Sequence, residues 1–104
     1  MPQPAFPAVA TEPGITRQVL AEAPEMMVVA FTFEAGAAGR LHDHPHLQSS
    51  FVASGRFRFT QGDEEFDLST GDSLIVPSGV RHGSVCIEAG QLIDVFAPRR
   101  DDFL

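Results

Sequence analysis

From Met26 to Pro98 apolar and polar residues alternate in runs too short and too regular for helices. MMVVAFTFE (26–34) sets Met27, Val29, Phe31 and Phe33 on one face of an extended segment, because side chains two apart along a strand share a side. SSFVAS (49–54) stops at Gly55, and RFRFT (56–60) turns its arginines outward and its phenylalanines inward. QGDEE reads as a hairpin turn into EFDLS (65–69). TGD punctuates before SLIVPSG (73–79), and AGQ reads as a turn between HGSVCIE (82–88) and LIDVFAP (92–98). Strands recurring roughly every 8 to 12 residues, with turns between them, predict a small all-β sandwich or barrel. No repeat or linker divides the chain, so residues 1–104 read as one domain, with 1–14 a proline-rich N-terminal extension. The closing RRDDFL has the composition of a tail, yet Phe103 and Leu104 are apolar enough to dock.

Composition narrows the chemistry. With 43% hydrophobic residues the chain has material for one modest core. No apolar run approaches the roughly 20 residues that cross a bilayer, and the N-terminus lacks the early positive charge of a secretory signal. A cytoplasmic protein with no membrane partner is the expectation. Fourteen acidic residues face seven basic ones, all seven of them arginine. Scattered arginines on an acidic chain make a poor phosphate-backbone footprint, which argues against nucleic acid as a partner. Without lysine there is no lysine Schiff base, and without tyrosine no tyrosine acid or base. Cys86 stands alone, so no intrachain disulfide forms, and as a nucleophile it would need an activating partner.

Three of the four histidines fall in HDHPHLQ (42–48). His42 and His44 share a face if the segment is extended, Gln48 keeps the same parity, and Pro45 disturbs any regular ladder between them. The fourth, His82, follows GDSLIVPSGVR, and neighbouring strands can close that separation. Three imidazoles and an amide oxygen suit a first-row transition metal with open positions and suit calcium poorly. The plainer alternative is a solvated polar loop. On the last strand Asp94 shares a face with Leu92 and Phe96, while Ile93 and Val95 share the other. A carboxylate in such company is costly to bury unless it is paired or used. It is either held by backbone amides or an arginine, or aimed inward as a general base. Arg99 and Arg100 either fold over the barrel mouth to hold a substrate carboxylate or form a solvated salt-bridge cluster with the acids that follow.

The wider spacing resembles the paired motifs of the cupin superfamily. Gly36, His42, His44, Gln48 and Gly55 follow G-x5-H-x-H-x3-E-x6-G, with glutamine at the glutamate position. Gly71, Pro77, Gly79, His82 and Cys86 follow G-x5-P-x-G-x2-H-x3-N, with cysteine at the asparagine position. The resemblance implies a cupin-type β-barrel (jelly roll) holding one divalent transition metal ion (Ni, Zn, Fe, Mn, Co or Cu) on His42, His44, Gln48 and His82. A neutral glutamine would leave that ion a stronger Lewis acid than a carboxylate does. His46, which the motif does not claim, would be an alternative ligand, a hydrogen-bond partner of the ligands or a surface residue.

HPHLQ, the DVFAPRRDDF ending and the short length resemble a narrower group, the pectin-degradation cupins. That group opens unsaturated uronates from pectin or alginate breakdown to linear ketonised sugars. Its catalytic aspartate, phenylalanine and arginine would fall on Asp94, Phe96 and Arg100. QSSFVASG departs from the aromatic and acidic positions usual around YVLEG in that group, which alters the packing of the pocket wall. The same barrel also serves metal-dependent dioxygenases, isomerases or cyclases of other small molecules, and non-catalytic sugar-binding modules. A small, anionic ligand is expected, and a homodimer is expected by the same resemblance.

Overall fold

A computed structural model describes residues 1–104. Eight strands account for nearly all regular structure: β1 (Val9–Glu12), β2 (Ile15–Ala23), β3 (Met26–Phe33), β4 (Ala38–His42), β5 (Leu47–Gln61), β6 (Glu64–Ser69), β7 (Ser73–Val76) and β8 (His82–Ala97). One turn of 3-10 helix, Asp101–Phe103, follows. No helix is long and apolar enough to cross a membrane.

Two of the strands are longer than the sequence pattern suggests. β5 fuses the segments read on either side of Gly55, and β8 runs through Ala89, Gly90 and Gln91, which read as a turn. They pair antiparallel along their whole length, from Leu47 opposite Ala97 to Gln61 opposite His82. The register shifts three times between Val52 and Phe57, so both strands bend together there. Gly55 sits at the bend with φ +83°, and a Cβ on it would lie 2.5 Å from the Glu88 carbonyl oxygen. Only glycine tolerates both constraints. The punctuation at Gly55 and Gly90 therefore marks a corner of the sheet, not its turns.

The bend divides the sheet into two facing halves. One half runs β1-β2-β3-β8-β5, with β7 on the far side of β5; the other half sets β4 against β8 and β6 against β5. The hydrogen-bonded order does not close on itself, so this jelly roll is a folded-over sheet, not a continuous ring. Side chains from both halves meet inside: Ile15, Phe33, Val52 and Leu92 from one, Phe57, Phe59 and Cys86 from the other. Cys86 is in this core, its thiol donating to the Glu88 carbonyl, and burial pushes its pKa up, away from a reactive thiolate. A smaller cluster of Val19, Met27, Val29 and Phe96 closes the end nearer the histidines, with Phe103 packed on it. The inward face of β3 is the one its alternation predicts, with Met27, Val29 and Phe33 buried.

The first two strands were not legible in the pattern. β2 interrupts its alternation with Arg17 between the buried Ile15 and Val19, then shifts register against β3 between Val19 and Ala21. The N-terminal segment lies along β2, with the Phe6 amide donating to Val19 and the Gln3 side chain bonding Glu22.

Candidate metal centre and active site

The histidine site forms where the two halves of the sheet approach. β4 ends at His42, and a bulge between Gly39 and His42 makes His42 the direct cross-strand partner of His82, the first residue of β8. Pairing stops at Asp43, so His44 reaches inward from a loop and not from the same strand as His42. That loop is pinned by the one after β7. The Gly79 amide donates to the His44 carbonyl at 2.9 Å, and the Ser78 hydroxyl donates to the Pro45 carbonyl. Gly79 aims its amide there from φ +76°, a conformation that side-chain-bearing residues resist. The P-x-G spacing thus fixes one histidine while delivering another.

The three rings stand close, with centroids 4.4 Å apart for His42 and His82 and 4.9 Å for His44 and His82. They bring a donor atom each to within 4.8 Å of one another. Each Nδ1 lies against a backbone carbonyl: His42 on Arg40 at 2.9 Å, His44 on His46 at 3.0 Å, His82 on Val80 at 2.9 Å. A carbonyl can only accept, so each ring carries its proton on Nδ1 and leaves Nε2 as a lone pair. The Nε2 of His82 is buried with no hydrogen-bond partner.

Gln48 sharpens the picture. Its Nε2 donates to Ser50 Oγ at 2.9 Å and to Asp94 Oδ2 at 3.3 Å, which leaves Oε1 facing His44 Nε2 at 2.8 Å. Two lone pairs at that separation repel unless a proton or a cation lies between them. Burial is the main cause lowering the His44 pKa, and it lowers His82 to about 4, so a proton is the disfavoured answer. A metal ion would satisfy both atoms together with the orphaned nitrogen of His82. The donor set fits a transition metal on this ground, whatever its identity.

Asp94 is buried beside the cluster at 6% exposure, opposite Ser50 in the β5–β8 ladder. Desolvation raises its pKa to about 7; the Ser50 hydroxyl and the Arg100 charge pull partway the other way. Its Oδ1 has no hydrogen-bond partner. Of the two arginines only Arg100 enters the cavity, stacked 5.2 Å over Phe96 and bonded through Nε and Nη2 to Asp102. Arg99 turns away to Glu22 and Asp101. Phe96 packs edge-on against His44 at 5.6 Å. His46 lies against His44 and supplies the carbonyl that sets its tautomer, with its own Nδ1 unpartnered; it stands outside the three-histidine cluster. A cavity of about 640 Å³ opens over His42, Gln48, His82, Asp94, Phe96 and Arg100.

The motifs do not reach several residues of this site. Ser50 was available from parity with Gln48. Phe103 was seen as a docking residue, and it docks on Phe31 and Phe96. Arg17 belongs to the unread strand β2 and left no local signal.

A two-sided jelly roll with a histidine cluster between its halves defines a cupin. Residues 29–96 match the cupin domain family, and the chain belongs to it. Within that family it is 39% identical over 93 residues to the pectin degradation protein KdgF of Dickeya dadantii, covering 88% of this chain and 84% of that protein. The fold superposes on KdgF from a Halomonas species with a TM-score of 0.91 at 39% identity, over 95% of this chain and 94% of that one. An RmlC-like cupin from Shewanella frigidimarina gives the same TM-score at 40% identity, over 94% and 88%. The chain is thus a cupin similar to KdgF over most of its length.

Proposed function

We propose that this cupin is a metal-dependent enzyme that opens 4,5-unsaturated uronates to linear ketonised sugars. The observation that carries the reading is Asp94, a buried carboxyl raised to about neutrality within 3.3 Å of Gln48. His42, His44, Gln48 and His82 would hold a divalent ion, which would act as a Lewis acid on a substrate oxygen. Opening the ring is an isomerisation: one carbon of the double bond gains a proton, the anomeric hydroxyl loses one, and the ring carbon–oxygen bond breaks. A carboxyl poised near pH 7 serves either transfer, since it is present in both protonation states at working pH. Arg100 holds the substrate carboxylate, and Phe96 gives the sugar an apolar wall. Phe103 narrows the mouth against water.

The likeness to KdgF at 39% identity supports this substrate class over the dioxygenase and carrier alternatives. The test is product identity. Protein loaded with metal and given 4,5-unsaturated galacturonate should convert the vinyl proton signal in NMR to the methylene of a linear keto sugar, and Asp94→Asn should slow that conversion at least about hundredfold. Unchanged vinyl signal with wild type above the uncatalysed rate would refute the reading.

The same proposal includes a homodimer. Leu47, Phe51 and Ile75 are 48%, 42% and 56% exposed on the outer face of β5 and β7, next to Ile93 and Val95 of β8. A second copy covering this face would remove an apolar patch from water.

A further inference from the structure

The cavity holds more cation than its described chemistry uses. Arg17 points inward from β2, where Ile15 and Val19 on either side are buried, and lines the cavity two strands away from β8. Its guanidinium carbon lies 4.1 Å from the centre of the Phe103 ring, and that of Arg100 lies 4.3 Å from the same centre. Two guanidiniums on one ring repel each other in the reduced dielectric of a cleft. One acid answers them: Asp102 occupies the Nε–Nη2 edge of Arg100. Arg17 forms neither a salt bridge nor a side-chain hydrogen bond, although Glu12 and Asp43 also line the cavity. Its planar face is spent on Phe103 and its N–H edge is free. An arginine held by stacking, with its donors unspent and a like charge beside it, is arranged to receive an anion.

We propose that Arg17 is a second carboxylate-binding side chain of the cavity, sharing the ligand's carboxylate with Arg100. This rests on the uronate reading and deepens it. Asp102 holds one edge of Arg100 within the cavity, and Arg17 approaches from β2, so a carboxylate entering between them meets a donor on each side. The sugar ring then extends from Phe103 towards Asp94 and the histidines. Selectivity for the free acid over its ester or the neutral sugar follows from the pair, not from Arg100 alone.

The test compares Arg17→Met, which keeps the apolar stem against Phe103, with Arg17→Lys, which keeps the charge. Turnover of 4,5-unsaturated galacturonate and calorimetric binding of saturated galacturonate and of its methyl ester are measured for metal-loaded protein. Arg17→Met should raise KM and the galacturonate Kd about ten- to hundredfold. It should leave kcat within about threefold and ester binding unchanged, because a cation that binds ground and transition states alike acts on KM. Arg17→Lys should recover part of the loss. Equal losses for acid and ester would show that Arg17 only braces Phe103, and unchanged KM and Kd would overturn the proposal while the uronate function stands. Wild type that binds galacturonate in an Arg17-dependent way without turning over the unsaturated sugar would sink the function and keep the site. Wild type that binds no galacturonate would sink both.

Discussion

Replacing Asp94 by asparagine should reveal how strongly the fold holds that carboxyl against ionisation. The native value is raised from 3.8 to about 7, mainly by desolvation. The folded state therefore keeps a proton that the unfolded chain has released between about pH 4 and pH 7. The stability this group contributes is fully present below about pH 4 and is lost as pH rises through about 7. Three pKa units correspond to about 4 kcal/mol, a large share of the roughly 5–15 kcal/mol that a small domain has in total. Asparagine cannot ionise, so the difference between variant and wild type should move by about 3 kcal/mol in favour of the variant from pH 4.5 to pH 8.5. Urea denaturation of chelator-treated protein at a series of pH values measures it, and the other titrating groups largely cancel in the difference. His82 works in the opposite sense: its lowered value of about 4 makes the fold lose stability as pH falls, in both proteins alike. Returning a divalent ion should shrink the Asp94 effect, because a nearby cation favours the carboxylate. A difference that is flat with pH would refute the buried-carboxyl account.

Three further outcomes follow from other parts of the molecule. His44→Ala and His82→Ala should each bring bound metal well below one ion per chain by elemental analysis, whereas His46→Ala should retain it, since His46 stands outside the cluster. Gly55→Ala should cost at least about 2 kcal/mol in a thermal or urea melt, because the added Cβ meets the Glu88 and Ala89 carbonyls at 2.5 and 2.7 Å at a positive φ. Phe51→Glu should convert a dimer to a monomer in light scattering with metal content intact, and a wild type that is monomeric at all concentrations would remove the homodimer proposal.

The sequence made the site more legible than the strands. The G-x5-H-x-H and P-x-G-x2-H spacings point to His42, His44 and His82 as one group, and the loop holding Gly79 ties them through its bond to the His44 carbonyl. Parity gave the inward face of β3 and of the last strand correctly, with Asp94 and Phe96 buried as neighbours. Its condition of an extended segment fails at His44, since Pro45 and the end of pairing at His42 place that residue on a loop. Glycine was the ambiguous letter. Gly55 and Gly90 signalled chain reversal and are in fact where two 15- and 16-residue strands cross a corner together. β2 is not legible because a cavity-facing arginine occupies an inward position, and apolar alternation cannot register a charged residue there.

The central claim is that the histidine cluster, once loaded, acts on an unsaturated uronate. The most direct measurement follows the ultraviolet absorbance of 4,5-unsaturated galacturonate with metal-loaded protein, with the same protein after chelation, and after the metal is restored. The account predicts loss of the double bond well above the uncatalysed rate, abolished by chelation and recovered on reloading. A loss no faster than the uncatalysed rate, or one indifferent to chelation that removes the metal, would contradict it.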